Sequence, residues 1–143
     1  MLSPEARGLF AQQAPQDQLH ALDVYEALLE EGHSDRHLLT AALLHDVGKA
    51  AARTPAWQRA IFVLTKRFAP GALDHLLEHG AEGWKGPMRT YAHHAEIGAR
   101  WAEEAGCSEL TVALIRHHED PVAAHRTERD RLLAALQAAD DVS

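Results

Sequence analysis

The stretch Leu38–Ala50 reads LLTAALLHDVGKA. Leu38, Ala41, Ala42 and His45 recur at helical spacing, which predicts a helix with one buried face. That helix carries a histidine and an aspartate, His45 and Asp46, to the end of an apolar run. Their neighbours are aliphatic or small until Lys49. Burying two ionisable groups there costs several kcal/mol unless something pairs with them. The reading of the chain turns on what that partner is.

The flanking sequence has the same helical punctuation. Ser3-Pro4 supplies an N-cap and a first-turn proline for a helix to about Gln13. Pro15 opens a second helix through Leu19, Leu22, Val24, Leu28 and Leu29, stopped by Gly32. Ser34 is the expected cap of the third helix, and Gly48 its end. Thr54-Pro55 starts a fourth with Ile61, Leu64 and Phe68 inward, and Pro70 a short fifth to Gly80. The stretch AEGWKGP, Ala81–Pro87, reads as a loop. A helix from His94 to about Ala105 ends at Gly106, and Ser108 caps the next, which runs towards His118. Thr127-x-x-Asp130 resembles a capping box ahead of a last helix through Leu132, Leu133, Leu136 and Ala139. No strand, repeat or low-complexity segment is evident. The expected fold is all-α, a single irregular helical bundle, with residues 1–143 as one domain.

Composition narrows the function. The 143 residues are 46% apolar and 24% charged, ordinary for a soluble globular chain. One cysteine, Cys107, allows no internal disulfide. No signal-peptide pattern and no run near the ~20 residues of a membrane span are present, so the expected location is cytoplasmic. A formal charge of −7 gives no general attraction for a nucleic-acid duplex or an anionic membrane. A phosphate substrate therefore needs local cations. The chain has eleven histidines against two tyrosines and two methionines, and histidine is the commonest metal ligand.

His33, His37, His75, His79 and His125 lie near helix ends or polar stretches and read as solvated or capping residues. The others cluster differently: His20 in mid-helix, His45-Asp46 ending one helix, His93-His94 opening another and His117-His118 closing a third. Asp140-Asp141 end the last. A hydrogen-bonded core histidine explains His20 alone, and an exposed helix-end carboxylate explains Asp140 alone. Such an account must be repeated at five sites, whereas a bound metal explains all five together.

The order His20, His45-Asp46, His94, His117-His118, Asp140 resembles the HD-domain metal-dependent phosphohydrolase superfamily. The resemblance covers Leu19 to Ser143 and is strongest in LLTAALLHDVGKA, HAEIGARWAEEAG, LIRHHE and LLAALQAADDVS. It implies that His20, His45, Asp46 and Asp140 hold the basic metal site. In the branches with HDIG or HD-GYP signatures extra histidines hold a second metal. His94, His117 and His118 match those positions, and Asp46 would bridge the ions. After LIRHHED the chain reads PVAAH rather than a glycine-rich run ending in GYP. That speaks against cyclic di-GMP as substrate and brings the chain nearer the smaller HDIG-type proteins.

The implied activity is phosphoester hydrolysis with Asp46 and Lys49 as catalytic residues. A hydroxide shared by the two ions attacks the phosphorus of a small phosphoester or nucleotide, and Lys49 holds a non-bridging oxygen. One or two divalent ions are expected, with iron, manganese, zinc or cobalt favoured over the oxygen-preferring magnesium. Arg116 and Lys85 read as solvated charges, and Trp57, Phe62, Phe68 and Trp84 as satellite core. The alternative is a non-catalytic helical regulatory or interaction module with a structural metal site. The sequence does not reveal the oligomeric state.

Overall fold

A computed structural model describes residues 1–51, 64, 67–69, 71, 93–122 and 127–143. Among them the chain is helical, without strands. The α-helices are α1 (Pro4–Gln12), α2 (Pro15–Glu30), α3 (Arg36–Leu44), α4 (His94–Glu104), α5 (Glu109–His117) and α6 (Glu128–Val142). A 3-10 turn at Val47–Ala51 follows α3. The all-α bundle expected from the sequence is thus the fold observed. No described helix is long and apolar enough to cross a membrane.

The helix ends show why the chain breaks where it does. Ser3 Oγ accepts from Ala6 N at the start of α1. Ser108 Oγ accepts from Thr111 N at the start of α5. Thr127 and Asp130 form a reciprocal capping box at α6. Gly32 and Gly106 end α2 and α4 with φ of 87° and 79°, a backbone shape costly for other residues. The cap of α3 is Asp35 rather than Ser34. Its carboxylate accepts from His37 N and Leu38 N, and a negative charge suits that end of the helix dipole.

Helix α3 is the centre of the bundle. Six of its nine residues are buried, as a helix surrounded by others requires. It packs against α1, α2, α5 and α6, while α4 packs on α5 and on the 3-10 turn. Leu28, Leu38, Leu44, Leu114, Ile115 and Leu136 fill the space between. Helix α3 ends at Leu44, so His45 and Asp46 lie just past it, and Gly48 falls inside the 3-10 turn.

Gly48 permits a close approach of two backbones. A Cβ there would overlap the His94 carbonyl oxygen and stand 2.7 Å from Gly98 N. A Cβ on Gly98 would in turn meet Gly48 N at 3.1 Å and Val47 Cγ1 at 3.2 Å. The two glycines let the turn carrying Asp46 seat directly on the helix carrying His94. Leu64 and Phe68, expected to face inward, are 56% and 73% exposed. The Arg67 guanidinium lies over the Phe68 ring at 5.5 Å and partly shields it. The remaining expectations for the Thr54–Gly80 helices, the Ala81–Pro87 loop, His75, His79 and His125 lie outside the described residues, as do Trp57, Phe62, Trp84 and Lys85.

The Gly48 contact predicts a steep response to one methyl group. Gly48→Ala should destabilise the fold by at least about 2 kcal/mol in urea unfolding followed by circular dichroism, as backbone must move. Gly8→Ala is the control: Gly8 lies within α1 with open space around it. It should gain up to about 1 kcal/mol from helix propensity. Equal stability of the Gly48→Ala protein and the parent would contradict the contact.

Candidate metal centre

Five separate elements deliver the cluster. Helix α2 supplies His20, the end of α3 supplies His45 and Asp46, and the first residue of α4 is His94. His118 caps the C-terminus of α5, and Asp140 lies in the last turn of α6. His45, Asp46, His94 and His118 are buried, while His20 and Asp140 are half-buried at the edge.

Asp46 is the hub, and its two oxygens face different partners. Oδ1 lies 3.1 Å from His94 Nε2 and 3.6 Å from His118 Nε2. Oδ2 lies 3.5 Å from His45 Nε2 and 4.0 Å from His20 Nε2. On that second side Asp140 Oδ1 accepts from His20 Nε2 at 2.7 Å and stands 3.4 Å from His45 Nε2. Lys49 Nζ donates to Asp46 Oδ2 at 2.6 Å. One carboxylate thus joins two groups of potential ligands, His20-His45-Asp46 and Asp46-His94-His118.

Backbone carbonyls set the tautomers of the two deepest imidazoles. His45 Nδ1 donates to Ala42 O at 2.8 Å, and His118 Nδ1 donates to Ile115 O at 2.6 Å. With Nδ1 committed to a carbonyl, each ring turns its Nε2 towards the carboxylates, the arrangement that metal-binding histidines use. His45 Nε2 is buried and makes no hydrogen bond. An Nε2 that faces a carboxylate must carry a proton or meet a cation there, because two lone pairs repel.

The donor spacing also fits a transition metal. Ligands about 2.0–2.2 Å from an ion stand about 2.8–3.6 Å from one another in tetrahedral or octahedral geometry. The separations of 3.1 and 3.6 Å around Oδ1, and of 3.4 and 3.5 Å around His45, are of that size. The buried histidine and aspartate groups can therefore hold a metal ion.

The ionisation of the cluster expresses the same demand for positive charge. Burial opposes the charged form of Asp46. The charge of His45, hydrogen bonds from His118 and His94, and Lys49 outweigh it and hold the carboxyl well below the usual carboxylate range. Burial likewise disfavours a charged His45, but Asp46, Asp140 and the Ala42 carbonyl raise its pKa overall. Asp140 is lowered by His45 and His20 against burial and the repulsion of Asp46.

Not every expected residue joins the cluster. The structure leaves His117 outside: its Nδ1 donates to Asp120 Oδ2 at 2.6 Å and its side chain is 39% exposed. Adjacent helical residues point about 100° apart, so His118 and His117 do not face the same centre. His93 and Asp141 are exposed beside His94 and Asp140. Lys49 is engaged with the Asp46 carboxylate. Arg116 pairs with Glu96 at 2.9 Å on the surface. Glu119, which the sequence reading passes over, brings Oε1 to 3.7 Å from His94 Nε2.

A cleft of ≈ 630 Å³ lies against the cluster, bounded by His118, Glu119, Asp120, Gln137, Asp140 and Asp141. Its volume is that of a small-molecule site, and its walls are acidic. Comparison of the chain with protein-family models, with curated proteins and with solved structures gives no match.

The split between the adjacent histidines is directly testable. His118→Ala should weaken binding of one Mn²⁺ or Co²⁺ ion at least about tenfold, a loss of about 1.4 kcal/mol, in calorimetric titration. His117→Ala should bind as the parent does. Equal loss in both variants would contradict the geometry.

Proposed function

We propose that the chain is an HD-type metal-dependent phosphohydrolase acting on a small phosphoester, such as a nucleotide. The observation that carries this reading is the buried Asp46 carboxylate, with one oxygen towards His94 and His118 and the other towards His20 and His45. The order of the sequence motifs supports the family reading. Divalent ions held there supply Lewis acidity towards phosphoryl oxygens and lower the pKa of water.

The protein's own groups have separable tasks. His20, His45 and Asp140 hold one position together with Asp46 Oδ2, and His94 and His118 hold the other together with Oδ1. The Ala42 and Ile115 carbonyls orient two of these rings, so little reorganisation accompanies binding. Lys49 keeps Asp46 Oδ2 in place and adds positive charge beside the reacting phosphate. The acidic cleft repels a free phosphoester, so attraction comes from the cationic centre. Substrates whose charge lies in one compact phosphoryl group suit such a site better than an extended polyanion.

Turnover of bis(p-nitrophenyl) phosphate with added Mn²⁺, Fe²⁺ or Co²⁺ tests the reading. Asp46→Asn should abolish turnover and lose at least one metal. Lys49→Met should bind metal at least as tightly, because its ammonium competes with a cation for Oδ2. It should lower kcat/KM at least about tenfold, the equivalent of about 1.4 kcal/mol. Metal-dependent stabilisation without turnover of any phosphoester in a broad screen would favour a helical module with a structural metal site instead.

A further inference from the structure

The two halves of the cluster differ in charge. Among the described residues, the His20-His45 side has two carboxylates close by, Asp46 and Asp140, and the His94-His118 side has Asp46 close by and Glu119 slightly further off. Glu119 stands where a second carboxylate would restore the balance. Helix α5 stops at His117, and Asp120 N donates to His117 O at 2.9 Å. That turn brings the residue after His118 back towards the centre. Glu119 Oε1 lies 3.7 Å from His94 Nε2, beyond hydrogen-bonding reach yet close to the spacing of neighbouring ligands on one ion. Its side chain is 49% exposed and borders the cleft, so it can leave the centre at little cost.

We propose that Glu119 is an exchangeable fourth protein ligand of the His94-His118 metal position. The inference rests on the two-position reading given above. With Glu119 included, each position has two histidines and two carboxylates, Asp46 being shared. Asp140 is the more enclosed of the two carboxylates, its side chain 30% exposed and standing 2.7 and 3.4 Å from two histidines. Glu119 is 49% exposed and stands 3.7 Å from one. The second position is therefore the weaker one, and Glu119, at the border of the cleft, is the ligand that can leave it. The Glu119 carboxylate would give way there to an anionic oxygen of an incoming phosphoester.

A calorimetric titration of the full chain with Mn²⁺ tests this without relying on activity. The parent should bind two ions. Glu119→Gln, nearly isosteric and uncharged, should keep the tighter site and weaken the second at least about tenfold, about 1.4 kcal/mol. Its metal-free melting temperature should match the parent's. Asp120→Asn, whose carboxylate serves His117, should leave both sites unchanged. A second-site Kd in Glu119→Gln within about twofold of the parent's would overturn the role of Glu119 and leave the two-position reading intact. Equal weakening of both sites would also overturn it, since Glu119 would then support the whole cluster. A parent that binds a single ion would overturn both readings, before any substitution is made.

Discussion

A carboxylate that is 4% exposed holds its charge only if the surrounding structure supplies opposite charge and hydrogen bonds. Asp46 imposes that condition on the protein. Imidazoles from four elements and the Lys49 ammonium answer it, and their arrangement divides the carboxylate into two faces. His20 and Asp140 meet across 120 positions of sequence to close one of those faces. The functional reading follows from that division. Histidines stand on both oxygens of this carboxylate, in two groups that could each hold a metal ion.

Packing makes the arrangement affordable. Helix α3 is apolar on nearly every side, so the bundle forms around it and leaves its C-terminal end pointing into the cluster. The Gly48–Gly98 contact then fixes the distance between the Asp46 turn and the start of α4. Carbonyls three residues before His45 and His118 take the Nδ1 protons, so the last turns of two helices serve as orienting groups. Fold and site share these atoms, and a change that disturbs the glycine contact should reach both.

Much of this was legible in the sequence because helical periodicity carries information about faces. His118 shares a buried stripe with Thr111, Leu114 and Ile115, and Asp140 follows Leu133 and Leu136 at spacings of three and four. The same stripe leaves His117 outside, a distinction the paired-histidine pattern alone does not make. Elsewhere periodicity is silent. Ser34 and Asp35 are both good caps, and the choice depends on which backbone the first turn presents. Glu119 lies past the end of α5, where no repeat assigns a face. Lys49 has the length to reach either a carboxylate or a phosphate, and only coordinates show it on Asp46. The outward positions of Leu64 and Phe68 depend on tertiary surroundings that a local apolar pattern does not encode.

The central proposal is that Asp46 bridges two metal positions. The most direct measurement is anomalous diffraction from crystals grown with Mn²⁺. The account predicts two anomalous peaks, one beside His20, His45 and Asp140 and the other beside His94 and His118, each about 2.0–2.2 Å from an Asp46 oxygen. A single peak, or none within bonding distance of Asp46, would contradict it.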